Sequence, residues 1–235
     1  MGSFISWFER SYKAIIIVLV AIMAVTLVIL ALQQVNASKP AAGSVPGPIP
    51  TFASDDEEVV GFAVVGDSVT AANSPSLDTG VAGDGSWAFY ADGDGADLVG
   101  GWAEGGATTE AMDTNVKKYD ADVLVVLAGT NDTGLAVPFD ETAANLQRIV
   151  KKAGISKVIV SSIPPRDSDI DLPVDYNDQL RNLATDKGWI FVDAAAALRS
   201  DDRYKDGYTA DGIHPTPRGA KALGEALHDA IVEAR

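Results

Sequence analysis

From residue 59 onward, short apolar runs alternate with amphipathic stretches. Residues 59–65, 122–127, 157–161 and 189–192 are apolar and rich in β-branched side chains, and each predicts a buried strand. Residues 97–99 are a weaker strand candidate. Helices are predicted over 108–118, 139–152 and 176–187. In the second, Leu146 and Val150 stand four apart on one face, and the third stops at Gly188. A last helix opens with Thr216 as N-cap and Pro217 at its first position, and it turns Ala220, Leu223, Leu227 and Ile231 inward. Strands separated by helices imply parallel pairing through right-handed crossovers. Strands apolar along their whole length imply a sheet covered on both faces. The expected body, residues 59–235, is an α/β domain: a three-layer α/β/α sandwich on a parallel sheet. Sites in such sheets lie beyond the carboxyl ends of the strands.

The N-terminal pattern differs. Residues 14–32 form an uncharged apolar run of 19 residues whose one polar member is Thr26. As a helix it would span about 28 Å, close to the hydrocarbon thickness of a bilayer. Arg10 and Lys13 precede it, so residues 1–13 are expected in the cytoplasm and the rest outside. The expectation is a single-pass signal anchor in the cell membrane. Val35-Asn36-Ala37 also fits a cleavage site, and cleavage there would make the body a secreted protein. Residues 33–58 hold Pro40, Pro46, Pro48 and Pro50 and then a run of four acidic residues. That composition reads as a linker.

Composition narrows the chemistry. There is no cysteine, which excludes disulfides, thiolate metal sites and a cysteine nucleophile. Net charge is −15. From residue 54 onward, removing Glu9 leaves 32 acidic residues, and removing Arg10, Lys13 and Lys39 leaves 15 basic ones, a balance of −17. Such a body repels nucleic acid, and none is expected as a partner.

Four segments carry reactive groups. Gly66-Asp67-Ser68 ends the first strand, where a turn can aim the Ser68 hydroxyl into a cleft. Serine is a weak nucleophile until a base takes its proton. Asp211 and His214 stand three apart, and Pro215 keeps His214 out of helical dihedrals. The carboxylate can then orient the imidazole as a general base. Of the two histidines, His228 lies on the amphipathic last helix and reads as a surface residue. Gly129-Thr130-Asn131-Asp132 follows the strongest strand, and the Asn131 amide can donate to a developing oxyanion. Gly105-Gly106 precedes a helix and can bring a backbone N–H to the same place.

In order and spacing these segments resemble the four blocks of the SGNH, or GDSL-type, serine hydrolases. GDSVT at 66–70 matches the first block, Gly106 within GGATT the second, Gly129 to Asp132 the third, and Asp211, His214 and Pro215 the last. The resemblance covers about residues 59–233. In place of the asparagine that members often carry before the glycine block, this chain reads Val99-Gly100-Gly101. The resemblance implies a flavodoxin-like sandwich, with Ser68 as nucleophile, His214 as base and Asp211 as its orienter. The implied oxyanion donors are the Ser68 and Gly106 N–H groups and the Asn131 amide. It implies acyl transfer without metal or organic cofactor, on a small-molecule, glycan or lipid ester. An outward-facing body without a long apolar lid favours short acyl or O-acetyl groups. Two rival readings stand beside hydrolysis: acyl transfer to an envelope glycan, and a non-catalytic glycan-binding module on the same fold.

Overall fold

The computed structural model describes residues 59–235. The predicted anchor at 14–32 and the linker at 33–58 lie outside the described residues. Among the described residues no helix is long and apolar enough to cross a membrane.

Five parallel strands form the sheet: β1 (Val60–Gly66), β2 (Ala96–Ala103), β3 (Val123–Leu127), β4 (Lys157–Ser161) and β5 (Ile190–Val192), in the order β2-β1-β3-β4-β5. That order is the flavodoxin-like one expected, and it reverses direction between β1 and β3. The crevice at that reversal, past the last paired residues Gly66 and Leu127, is where this topology leaves room for chemistry. Seven helices accompany the sheet among the described residues: α1 (Ser68–Ala71), α2 (Trp87–Ala91), α3 (Thr109–Asn115), α4 (Thr130–Gly134), α5 (Phe139–Ala153), α6 (Asp171–Lys187) and α7 (Pro217–Glu233). A small antiparallel hairpin, β6 (Arg199–Ser200) with β7 (Arg203–Tyr204), precedes the last loop.

Alternation along each strand divides the core. Phe62, Val64, Val125, Leu127 and Ile159 pack with Trp87 of α2 and with Leu223, Leu227 and Ile231 of α7. Ala63, Val65, Leu124, Val126 and Val160 pack with Met112 of α3, Leu146 and Ile149 of α5, and Tyr176 and Leu180 of α6. The central strands β1, β3 and β4 are thus covered on both faces, which is why they carry no polar face, while the edge strands β2 and β5 stay partly exposed.

The structure departs from expectation in three places. β2 runs from Ala96 to Ala103 rather than over 97–99, because its register shifts between Phe62 and Ala63 of β1 and lets pairing continue. Its glycines had hidden it. α6 starts at Asp171, since Pro173 sits harmlessly in the first turn, where no N–H is needed. α3 ends at Asn115, three residues early, and Val116 is extended.

Candidate active site

The first turn of the site is built on Gly66. A side chain there would meet the Thr70 hydroxyl and come within 2.9 Å of the Leu127 carbonyl oxygen, so only glycine lets the chain leave β1 so close to β3. Asp67 then caps α1: its Oδ1 accepts the Val69 N–H at 3.0 Å. The turn is tied down from α2. Ser86 Oγ donates to the Thr70 carbonyl at 2.6 Å, and the buried Trp87 Nε1 donates to Thr70 Oγ1 at 2.9 Å. Ser68 is the first residue of α1 and is partly exposed.

The last loop brings the histidine to it. Asp211 Oδ1 accepts the N–H groups of Ile213 and His214 at 2.9 and 2.8 Å. Its Oδ2 lies 2.7 Å from His214 Nδ1. Thr209 Oγ1 donates to the His214 carbonyl at 2.8 Å and accepts the Gly212 N–H at 2.9 Å. Tyr204 OH donates to the Ile213 carbonyl at 2.7 Å, and Asp167 N–H donates to the Gly212 carbonyl at 2.9 Å. With its backbone held at so many points, the loop places His214 Nε2 2.9 Å from Ser68 Oγ. Residues 146 positions apart thus form one chain of contacts, Ser68 to His214 to Asp211.

Slight burial raises the Asp211 carboxyl, but the hydrogen bonds from the His214 ring and from the His214 and Ile213 N–H groups outweigh it. They hold Asp211 well below the usual carboxylate range. An ionised Asp211 accepts a proton-bearing Nδ1, which leaves the Nε2 lone pair facing the serine. Burial pushes the Tyr204 phenol up, and the nearby Asp211 charge adds to the effect. Tyr204 is therefore a permanent donor to the loop.

The opposite wall is the turn after β3. Gly129 has φ +122°, and a side chain there would run into the Tyr176 ring. Tyr176 OH donates to the Ala128 carbonyl at 2.7 Å, fixing that turn from below. Asn131 Nδ2 donates one hydrogen to the Ala107 carbonyl at 2.9 Å, which orients the amide and leaves its second hydrogen without a protein acceptor among the described residues. The same contact joins the Asn131 turn to the Gly106 turn. A second joint runs beneath it: buried Asp132 accepts the Thr109 N–H at 3.0 Å, the Thr109 hydroxyl at 2.5 Å and the Thr142 hydroxyl at 3.0 Å. Gly106 is exposed, and a Cβ there would meet nothing within 4 Å. Among the described residues the Ser68 and Gly106 N–H groups donate to no protein acceptor. Ser68, Gly106, Asn131, Asp211 and His214 thus stand on the loops that follow β1, β2, β3 and the β6–β7 hairpin.

His228 is elsewhere. It is half-buried rather than a surface residue, with Nδ1 3.0 Å from the Ala91 carbonyl oxygen at the end of α2. Sequence reasoning passed over Thr209, Tyr204, Trp87 and the buried carboxyls Asp67 and Asp132. Asp67 had a readable signal: an aspartate just before a short helix is a strong N-cap candidate. Trp87 and Tyr204 carried none, since their contacts are long-range.

The model of the GDSL-like lipase/acylhydrolase family matches residues 64–222. The chain belongs to this family. No curated protein matches it. Among solved structures it is similar to a lipase/acylhydrolase from Enterococcus faecalis, with a TM-score of 0.60 and 20% identity over 74% of this chain and 96% of that one. It is also similar to a catalytic mutant of an acetylxylan esterase from Geobacillus stearothermophilus, with a TM-score of 0.60 and 20% identity over 74% and 94% of the two chains. A GDSL-like lipase from Bacteroides thetaiotaomicron gives a TM-score of 0.58 at 20% identity, over 74% and 89%. At these identities the likeness speaks for the fold. Family membership makes the chain an ester-hydrolysing GDSL enzyme.

Proposed function

We propose that this GDSL enzyme hydrolyses carboxylic esters of short acyl groups, O-acetyl groups on glycans among them, through Ser68, His214 and Asp211. The contact of Ser68 Oγ with His214 Nε2 at 2.9 Å carries the proposal, with Asp211 behind the ring at 2.7 Å. His214 Nε2 takes the Ser68 proton as Oγ attacks the ester carbonyl carbon. The carbonyl electron pair moves onto oxygen, where the Ser68 N–H, the Gly106 N–H and the Asn131 amide receive it. The intermediate collapses with cleavage of the bond to the alcohol oxygen, which leaves with the proton from His214. Water then loses a proton to Nε2 and attacks the acyl-enzyme, releasing the acid and restoring Ser68.

The openness of the site supports a short acyl group. The His214 and Asp211 side chains are 47% and 54% exposed. Each methylene that leaves water contributes about 0.8 kcal/mol. A shallow site cannot collect that gain along a chain, but it does admit a bulky alcohol such as a polysaccharide. The acetylxylan esterase among the structural neighbours fits this reading. The apolar run at 14–32 supports a body tethered outside the cell membrane, facing such polymers.

Turnover of p-nitrophenyl esters of rising chain length, alongside an acetylated xylan, tests the proposal. Acetate should give the highest kcat/KM, and Ser68→Ala should abolish turnover. A steady rise of kcat/KM toward octanoate would point to a buried acyl slot and overturn the short-acyl assignment.

A further inference from the structure

In the mechanism above, Asn131 and His214 serve one ester group from two different loops. Among the described residues no hydrogen bond joins residues 128–135 directly to residues 203–216. Some other part of the fold must fix their separation, because a misplacement of about 1 Å is costly at a reacting centre.

The loop after β4 stands between the two. Pro164 and Pro165 are buried there and fix their own φ. Asn177 of α6 clamps Ile163, accepting its N–H at 2.8 Å and donating to its carbonyl at 3.1 Å. Asp167 fastens the loop to the histidine side. Its N–H donates to the Gly212 carbonyl at 2.9 Å, its Oδ1 accepts the Tyr204 N–H at 3.2 Å, and its carbonyl accepts Arg203 Nη1 at 3.0 Å. A Cβ on Gly212 would lie 3.0 Å from the Asp167 Cβ, so the two segments are in contact.

Arg166, one residue earlier, reaches the asparagine side. Its Nη2 donates at 2.9 Å to the carbonyl of Thr130, the residue before Asn131. The guanidinium also lies against Gly134 at the end of α4, where a Cβ would stand 2.9 Å from Nη2. Arg166 is half-buried, and among the described residues it pairs with no carboxylate, although the chain carries a net charge of −15. A charged donor makes a hydrogen bond roughly twice as strong as a neutral one. Here that strength is applied to the backbone of the asparagine turn.

We propose that Arg166 is a positioning residue for the reaction. From a loop pinned to the histidine side it holds the asparagine turn, and so sets where the Asn131 amide stands relative to His214. It touches neither the substrate nor a reacting atom. The inference rests on the Ser68 mechanism, in which Asn131 receives the developing charge. That hydrogen bond gains its full strength only as charge develops, so a displaced amide slows the chemical step and leaves ester binding almost unchanged.

A double-mutant cycle with p-nitrophenyl acetate tests it. Arg166→Met keeps much of the apolar stem and removes the guanidinium. It should lower kcat about tenfold with KM changed less than threefold. In an Asn131→Ala background the same substitution should cost less than twofold, since no amide is left to position. Arg166→Lys, which keeps the charge and a donor, should recover at least half of the lost kcat. If Arg166→Met does not fold, Arg166→Gln, with an N–H donor of shorter reach, is read through the same cycle. Wild-type kcat in the variant, or an equal loss with and without Asn131, overturns the proposal. Wild-type kcat in Asn131→Ala, or turnover surviving in Ser68→Ala, would instead overturn the mechanism beneath it.

Discussion

Asp67 carries a charge that its surroundings resist. Its carboxyl is raised from 3.8 to about 6, chiefly by burial. The difference corresponds to about 3 kcal/mol. Because the folded-state value lies above the unfolded one, this group favours the folded state below about pH 4, and the contribution fades as pH rises through 6. Asp67→Asn keeps the cap on Val69 and removes the ionisation. Its stability relative to the wild type should therefore improve by up to about 3 kcal/mol between pH 4 and pH 8, measured by urea unfolding at each pH. A difference that is flat with pH would show that Asp67 does not titrate there. The two histidines part on geometry. His214→Ala should reduce turnover by about 10²–10⁴, the usual worth of a general base. His228→Ala should leave turnover near wild type, since the His228 ring is hydrogen-bonded to the Ala91 carbonyl rather than to Ser68. Equal losses in steady-state assays would mean the base is wrongly assigned. At this scale Ser68, Asn131, Asp211 and His214 were legible because each sits in a short motif next to a strand or helix end. Thr209 and Tyr204 were not, because what selects them is the backbone path of a loop.

At the scale of elements, the turn after β3 shows how the sheet aims its chemistry. Gly129 holds φ +122°, a region that side chains rarely adopt, with the Tyr176 ring standing where a Cβ would go. Gly129→Ala must move either the turn or helix α6. We expect a loss of about 3 kcal/mol or more in unfolding free energy and a fall in kcat, because Asn131 moves with the turn. A stable, fully active Gly129→Ala would contradict this account of the turn. Periodicity revealed β1, β3, β4 and α7 because their burial is complete and regular, with Ala220, Leu223, Leu227 and Ile231 all facing the core. It did not reveal α1, α2 or α4. Helices of four or five residues have too few turns to show a period, and they owe their form to caps and to contacts such as Trp87 with Thr70.

For the whole molecule, the order β2-β1-β3-β4-β5 explains why segments from residues 66 to 214 meet at one end of the sheet. The alternation of strand and helix implied parallel pairing, since parallel strands require crossovers, whereas the flavodoxin-like order was implied by the resemblance to the GDSL-type hydrolases. What alternation could not supply is the openness of the cleft, which depends on loop paths. The proposed tether belongs to this scale too. Full-length protein should sediment with membranes and resist release by alkaline carbonate, with the body open to added protease from outside the cell. Recovery of the body in the medium with a new N-terminus after Ala37 would show cleavage instead. The central claim is that one hydroxyl, raised by one imidazole, takes the acyl group. Peptide mass spectrometry after reaction with a fluorophosphonate ester tests it most directly. The label should fall on Ser68, vanish in Ser68→Ala and form at least a hundredfold more slowly in His214→Ala. A label on another residue, or equal labelling rates in His214→Ala and the wild type, would contradict it.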